Sequence, residues 1–495
     1  MKNMIHLRFI VTIVLYSLVS LIHARADDPR LENFSSFIQS ELREWSAPGV
    51  AVAVIKNGEV IFGDGFEYRN VDEQTPVTPS TLFPIASNTK AFTTTVIGML
   101  VEDGLLDWDA PVQEYLPEFQ MDDPYIMAHI TIRDLVTHRS GLPRHDHVWL
   151  GTPFSRESLV ERIQYLPFSK GFREAYQYNN LLYVTAGRVI EAVTGSTWEN
   201  VVTHRILRPL GMTSTNFSIT DLQLADDHAR AYTVAGRGHA VAPFRNVDAL
   251  GPAGSMNSTI NDMAKWLQFN LNEGIVMLDT LIQPDHLRQI HAPWIVVSQE
   301  VEDKEFPFTM YGLGWRVSTY RGHTVVYHGG AIGGYRSYVI LLPDHDIGVV
   351  SLTNVNRSQI NRVIAYKAID RLLDLEVINW SKRFKERMEP PADVECHPDP
   401  ELTHSLDAYT GTYEHPAYGE FKIERRDNRL AVTRYGATSN LVHCKFNMFY
   451  RERGHWGAFR SRLEFTFHVN EQGEVDRVLV PVESSVDDIV FKRIK

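Results

Sequence analysis

The stretch with the most chemistry in it is PIASNTK, residues 84–90. Its Ser87 and Lys90 are three residues apart, so a helix would carry both on one face. A serine hydroxyl is a poor nucleophile until a base removes its proton. A lysine amine becomes such a base when desolvation and nearby positive potential lower its pKa. The start of a helix supplies such potential, and its N–H groups can face an oxyanion. Ser-x-x-Lys also arises by chance about once or twice in a chain this long at ordinary serine and lysine usage. Here it occurs once, at the start of an apolar helical pattern.

A second candidate is Tyr178-Asn179-Asn180, just ahead of LLYVTAGRVIEAVTG. A tyrosine beside a lysine ammonium can be driven toward phenolate and serve as a general base. An asparagine amide can hold both a lysine and a substrate amide. A buried aromatic followed by an asparagine helix cap reads the same way. The third candidate is His328-Gly329-Gly330, between two strand patterns. Glycines on an edge strand let a substrate backbone come close, and the imidazole could donate to a substrate carbonyl or carboxylate. A turn glycine cluster beside a surface histidine is the alternative. Tyr68-Arg69-Asn70 and His455-Trp456-Gly457 repeat the last two patterns and read as structural.

Other motifs carry less. His145-Asp146-His147 lacks the H-E-x-x-H spacing of a zinc site and reads as loop polarity, so no metal is expected. No G-x-S-x-G marks an α/β-hydrolase elbow. The GGAIGG run lacks both the GK[ST] of a P-loop and the G-x-G-x-x-G of a dinucleotide fold, and no cofactor is expected.

Several elements must position these groups. Residues 32–45 form an amphipathic helical pattern. VAVAVIKNGEVIFGDGFEYRN reads as a hairpin turning at Asn57-Gly58. Residues 87–103 are helical up to Gly104, and NDMAKWLQFNLNEG (261–274) is a further helix. HTVVYHGG, YRSYVILLP and GVVSLTN read as consecutive strands. Strands at both ends and helices between predict an α+β core, an antiparallel sheet flanked by helices beside a mainly helical region. Residues 386–404, rich in proline and charge, read as a linker. EFKIE, RLAVTR, LEFTFHV and RVLVPV then predict a small all-β, barrel-like domain over 405–495.

Composition limits the rest. The 495 residues are 44% hydrophobic and 22% charged, which suits a globular chain of two or three domains. Lys2, Arg8, an apolar run from Phe9 to Ile22 and Ala24-Arg25-Ala26 read as a secretory signal over 1–26, with an uncleaved anchor as the alternative. A cleaved signal predicts a secreted protein without stable membrane insertion, and no later segment has the apolar length of a membrane span. The net charge of −12 argues against nucleic acid as a partner and says nothing specific about a small-molecule or short-peptide substrate. Cys396 and Cys444 would form one disulfide or remain two thiols. Asn33, Asn216, Asn257, Asn356 and Asn379 head glycosylation sequons.

The order Ser-x-x-Lys, Tyr-x-Asn, His-x-Gly resembles the class C β-lactamase superfamily. That group includes serine D,D-peptidases, D-aminopeptidases and carboxylesterases. LFPIASNTKAFTTTVIGMLVEDGLLDWDAPVQEYLPEF, TIRDLVTHRSGLP, ILRPLGMTSTNFS and HGGAIGGYRSYVILLPDHDIGVVSLTN extend the likeness over about residues 30–385. It implies a β-lactamase/transpeptidase-like domain over 27–385. YTGTYEHPAYGEFKI resembles the small lipocalin-like domain often appended to such enzymes. The resemblance implies Ser87 as the acylated nucleophile and Lys90 as proton acceptor or shuttle. Tyr178 would be the general base, Asn180 would orient the substrate amide, and the N–H groups of Ser87 and Ala331 would form an oxyanion hole. His328 stands where true lactamases carry a lysine, which shifts the expectation toward esters or amides and peptides with D-residues. Three functions follow: an esterase or D-aminopeptidase-like serine hydrolase, a D,D-carboxypeptidase or weak β-lactamase, and a silent binding protein of the same fold. His138-Arg139-Ser140-Gly141 matches a family loop and has no evident chemical duty.

Overall fold

The computed structural model describes residues 28–235, 238–298, 300–301, 303–356, 358–388, 402–452 and 463–495. The leader segment 1–26, Cys396 and the His455–Gly457 triplet lie outside the described residues. Cys444 is buried and disulfide-bonded.

Helix α1, Phe34–Glu44, buries Phe34, Ile38 and Leu42, which recur at helical spacing. Strand β1, Gly49–Lys56, turns into β2, Glu59–Asn70, through Asn57 and Gly58 at φ 51° and 75°. Two successive left-handed residues match the twist of a tight hairpin, so Asn-Gly fits there. A short β3, Thr75–Pro76, follows. Helix α2, Thr89–Glu102, is buried on almost every side. Two of its buried threonines are satisfied from outside the helix: Thr93 Oγ1 donates to Pro252 O at 2.7 Å and Thr94 Oγ1 to Leu313 O at 2.9 Å. Helix α3, Leu181–Thr194, ends on Gly195 in the left-handed region. Helix α4 spans Ile260–Leu271.

Six strands then complete the main sheet: β4 (Ile295–Ser298), β5 (Thr309–Tyr311), β6 (Arg316–Tyr320), β7 (His323–Ile332), β8 (Tyr335–Leu342) and β9 (Ile347–Thr353). The nine strands run in the order β4-β5-β6-β7-β8-β9-β1-β2-β3, and the pairs around the site are antiparallel. Helix α5, Ile360–Leu372, packs on one face with α1, against Val50, Val52, Val54 and Ile340. The opposite face carries Ala51, Ala53, Val339 and Val350 and holds α2 and α4. The Val-Ala alternation of β1 is thus a division between faces, with the small residues on the side where the helices crowd in.

Eight further strands form a closed C-terminal barrel: β10 (Gly411–His415), β11 (Gly419–Arg426), β12 (Arg429–Arg434), β13 (Ala437–Lys445), β14 (Met448–Arg451), β15 (Glu464–Val469), β16 (Val475–Val480) and β17 (Ile489–Arg493). Pairing of Tyr413 with Arg493 joins the first strand to the last. Aromatic rings fill the interior, with Phe421 and Phe491 at 4.9 Å and Tyr409 and Phe467 at 5.0 Å between centroids. An eight-stranded barrel is about wide enough for such side chains and little more. No described helix is long and apolar enough to cross a membrane.

Candidate active site

Ser87 lies in a 3-10 turn, Ala86–Asn88, that leads into α2. Ala86 ahead of it adopts φ +48°, a left-handed conformation that a residue with a Cβ enters at a cost. The surroundings hold the turn there. Ser337 Oγ donates to Ile85 O at 2.7 Å, and Asn88 Nδ2 donates to Ser337 Oγ at 2.7 Å. Strand β7 passes so close that a Cβ on Gly330 would collide with Ile85 O and Ser337 Oγ. Glycine is required at the third position of the His-x-Gly triplet for that reason.

Lys90 is fully buried one turn behind Ser87. Its Nζ donates to Asn180 Oδ1 and to Ala253 O, each at 2.7 Å, and lies 3.5 Å from Ser87 Oγ. Burial pushes the amine well below its ordinary value, and the Arg144 guanidinium pushes the same way, while Asp146 opposes them. A neutral amine has two donors and one lone pair. With both donors taken, the lone pair is left for the Ser87 hydroxyl proton. Tyr178 completes the set, its phenol donating to Ser87 Oγ at 2.9 Å. Burial raises the phenol above its usual value, against the pull of the Ser87 hydrogen bond, so it rests protonated.

The Tyr178-Asn179-Asn180 segment is positioned by both neighbours of its loop. Asn179 Oδ1 caps α3 by accepting from Leu182 N at 2.9 Å, which frees Asn180 to face Lys90. Asn179 N donates to His138 Nδ1 at 3.0 Å, and the His138 ring lies 4.3 Å from the Tyr178 ring. Burial drives His138 well down, so the imidazole stays a neutral acceptor. Asn180 Nδ2 donates to Asp146 Oδ1 at 3.0 Å. Arg144 stands over the Tyr178 ring, 4.8 Å from its centroid, and its Nε donates to Asp146 Oδ2 at 2.6 Å.

Strand β7 forms the facing wall. It pairs with β8 out to Ile332, but its pairing with β6 stops at Tyr327. Residues 328–332 therefore present an unpaired edge to which an extended backbone could add. His328 is 2% exposed, with Nε2 at 3.1 Å from Tyr311 OH and Nδ1 at 2.8 Å from Gly329 O. Burial first, then Arg316, lowers it to about 3, which leaves it neutral. A cleft of about 580 Å³ is lined by Ser87, Tyr178, His328, Gly329, Gly330 and Ala331. Arg144, Arg316, Arg336 and Arg362 line it too.

The candidates Ser87, Lys90, Tyr178, Asn180, His328, Gly329, Gly330 and Ala331 are thus gathered at one cleft or directly beneath it. The sequence leaves Arg144 unmarked, presents Asp146 as loop polarity and His138 without a task, and gives no means of finding Ala253, which contributes a backbone oxygen. Capable of proton transfer within hydrogen-bond reach, the cluster suits acyl transfer to a serine. Among the described residues no group of three or more metal-binding side chains stands together.

Comparison with known proteins agrees with this fold. A family described as Beta-lactamase matches residues 34–373, and one described as Domain of unknown function (DUF3471) matches residues 397–493. The chain is 30% identical over 445 residues to Unguisins hydrolase ungD′ of Aspergillus campestris, covering 83% of this chain and 81% of that protein. It is 26% identical over 357 residues to Protein flp of Staphylococcus aureus, covering 71% and 67%. The octameric penicillin-binding protein homologue from Pyrococcus abyssi shares the fold at a TM-score of 0.63 and 23% identity, over 93% of this chain and all of that one.

Proposed function

The chain belongs to the beta-lactamase family, and from that premise we propose that it is a secreted serine hydrolase forming an acyl-enzyme on Ser87. Its substrates are small esters, or amides and peptides with D-residues. The observation that carries this reading is Lys90, buried with both donors engaged and its nitrogen 3.5 Å from Ser87 Oγ.

In the first step the Ser87 proton passes to Lys90 Nζ as Oγ bonds to the substrate carbonyl carbon. The N–H groups of Ser87 and Ala331 take the oxyanion. Tyr178, protonated at rest and 2.9 Å from Ser87 Oγ, hands its proton to the leaving group and is reprotonated from Lys90. The bond to the leaving group breaks and the Ser87 ester remains. Water then attacks that ester, its proton going back through Tyr178 or Lys90, and Ser87 is released as the hydroxyl. No step calls for a metal or cofactor. His328, neutral and held by Tyr311 and Gly329, supports the β7 edge against which the substrate lies.

The four arginines of the cleft favour a second reading, a D,D-carboxypeptidase-like activity on peptides ending in a carboxylate. The test is intact mass after a fluorophosphonate on wild type and Ser87→Ala, followed by turnover of p-nitrophenyl acetate, D-alanine p-nitroanilide and a D-alanyl-D-alanine peptide. One adduct on wild type, absent from Ser87→Ala and joined by turnover, is expected. A folded wild type that takes no adduct would leave the silent binding protein as the reading. Release of D-alanine from the peptide in preference to ester turnover would select the carboxypeptidase.

A further inference from the structure

The His145-Asp146-His147 turn, which the sequence leaves as loop polarity, joins the barrel to the proton acceptor. His145 sits in the left-handed region at φ +46°, a conformation that needs holding. The barrel rim holds it. His145 N donates to Glu483 Oε2 at 2.8 Å, and its Nδ1 is 2.6 Å from Tyr418 OH. Arg434, at the end of β12, donates to His147 O at 3.1 Å and to Tyr418 O at 2.6 Å, tying the turn and the rim together. On the hydrolase side His145 Nε2 lies 2.9 Å from Pro167 O.

Asp146, the next residue, is buried and accepts from three side chains: Arg144 Nε at 2.6 Å, Trp149 Nε1 at 2.8 Å and Asn180 Nδ2 at 3.0 Å. A carboxylate only accepts, so it admits only the NH2 end of the Asn180 amide. The oxygen end is thereby turned to Lys90. If the amide were reversed, its NH2 would face Nζ and compete for the lone pair that Ser87 needs.

We propose that the C-terminal barrel is part of the catalytic apparatus. Tyr418 and Glu483 act as positioning residues that hold the His145 turn so that Asp146 fixes the Asn180 amide against Lys90. Their sequence distance from Ser87 does not separate them from it: each link from Glu483 to Lys90 is a hydrogen bond or a peptide neighbour. The inference rests on the reading of Lys90 as proton acceptor to Ser87. It goes beyond that reading by assigning the appended domain a task at the site.

The charges that face Lys90 set the sign of the pH effect. Arg144 and Asp146 approach from the turn, Tyr178 and Tyr183 from the start of α3 and the residues before it, His138 from its loop and His328 from the sheet, with Arg316 behind His138 and His328. Asp146 is the one carboxylate among them. Removing it lowers the amine further, so the acid limb of Ser87 reactivity moves to lower pH.

The experiment measures the second-order rate of fluorophosphonate labelling against pH on the full chain. Tyr418→Phe/Glu483→Ala is expected to slow labelling on the order of tenfold, with the barrel folded by circular dichroism. Glu483→Gln, which keeps an acceptor for His145 N, is expected to stay near wild type. Asp146→Ala is expected to slow labelling and to move the acid limb down by about one pH unit. Arg425→Gln, on the outer barrel surface, serves as the control. A double variant with the wild-type rate and pH profile would overturn the proposal. If wild type itself does not label, the Ser87 reading fails, and hydrogen–deuterium exchange over residues 142–150 and 176–182 decides the positioning alone. Faster exchange in the double variant would support it, and unchanged exchange would overturn it.

Discussion

Asn180 turns its side-chain oxygen to Lys90 at 2.7 Å, and Lys90 keeps its nitrogen 3.5 Å from Ser87 Oγ. The lysine is therefore held as an acceptor, with its donors spent elsewhere. Lys90→Met is expected to cut fluorophosphonate labelling by about 10²–10⁴-fold, the usual scale of a lost general base. Lys90→Arg is expected to fare no better, because a guanidinium does not give up its proton near neutrality. Labelling of Lys90→Arg within tenfold of wild type would mean that the charge of Lys90 matters and its lone pair does not.

Gly330 presents a sharper geometric test. A methyl there meets Ile85 O, Ser337 Oγ and, at 3.1 Å, Ala86 Cβ, all in the wall of the nucleophile turn. Gly330→Ala must push β7 away from Ser87 or break the Ser337–Ile85 hydrogen bond. The expected cost is about 1–3 kcal/mol of stability, with labelling reduced more than the melting temperature suggests. Gly329→Ala, whose added carbon finds only ordinary contacts at 3.7 Å, is expected to be milder. Equal effects at the two glycines would contradict the close-approach argument.

The two glycines also show what was readable in the chain beforehand. Patterning placed α2, α3, α4 and β7–β9 correctly: α3, α4 and β7 bury one face of their own residues, whereas α2, β8 and β9 are apolar and buried almost all round. Ser87, Lys90, Tyr178, Asn180 and His328 stood out as reactive types at the edges of those elements. Asp146 and Glu483 did not, since the bonds that give them a task join residues 34 and 338 positions apart and leave no local pattern. Ala253 acts through a backbone oxygen, which no side-chain reading finds. His138 looked idle because its work is to accept a main-chain N–H. The barrel-like form of the C-terminal domain was readable, but the pairing of Tyr413 with Arg493 that closes it was not: alternation marks a strand, and its partner is decided by the whole sheet.

Buried histidines give a pH prediction for the fold itself. Burial first lowers His147 to about 4 and His328 to about 3, with nearby Arg434 and Arg316 acting in the same direction. Below the unfolded value near 6.5 the unfolded chain binds protons that the folded chain refuses. Stability contributed by these neutral histidines is full above that value and is lost as pH falls toward 4 and then 3. Each contributes a slope of up to about 1.4 kcal/mol per pH unit in that window. Calorimetry from pH 7 to pH 4 is expected to show a falling melting temperature, and His147→Gln a shallower fall. A flat profile over that range would mean that these histidines are protonated in the folded state.

Ala86, at a φ of +48°, stores strain next to the nucleophile. A left-handed L-residue costs about 1–2 kcal/mol, and glycine would relieve it. Glycine also adds freedom to the unfolded chain, worth about 0.5–1 kcal/mol, and gives up a methyl that is only 3% exposed. These effects nearly cancel, so Ala86→Gly is expected to leave the melting temperature within a few degrees of wild type. Reactivity has no such compensation. Ser87 Oγ is aimed by the turn at Tyr178 and Lys90, and a looser turn spreads that aim, so labelling is expected to fall severalfold. Ala86→Val should separate the two effects from the other side, since a β-branched residue resists positive φ and must distort the turn or destabilise it. Loss of labelling in Ala86→Gly without loss of stability would mark the strain as part of how Ser87 is presented. Unchanged labelling would make the strained alanine a feature of packing alone.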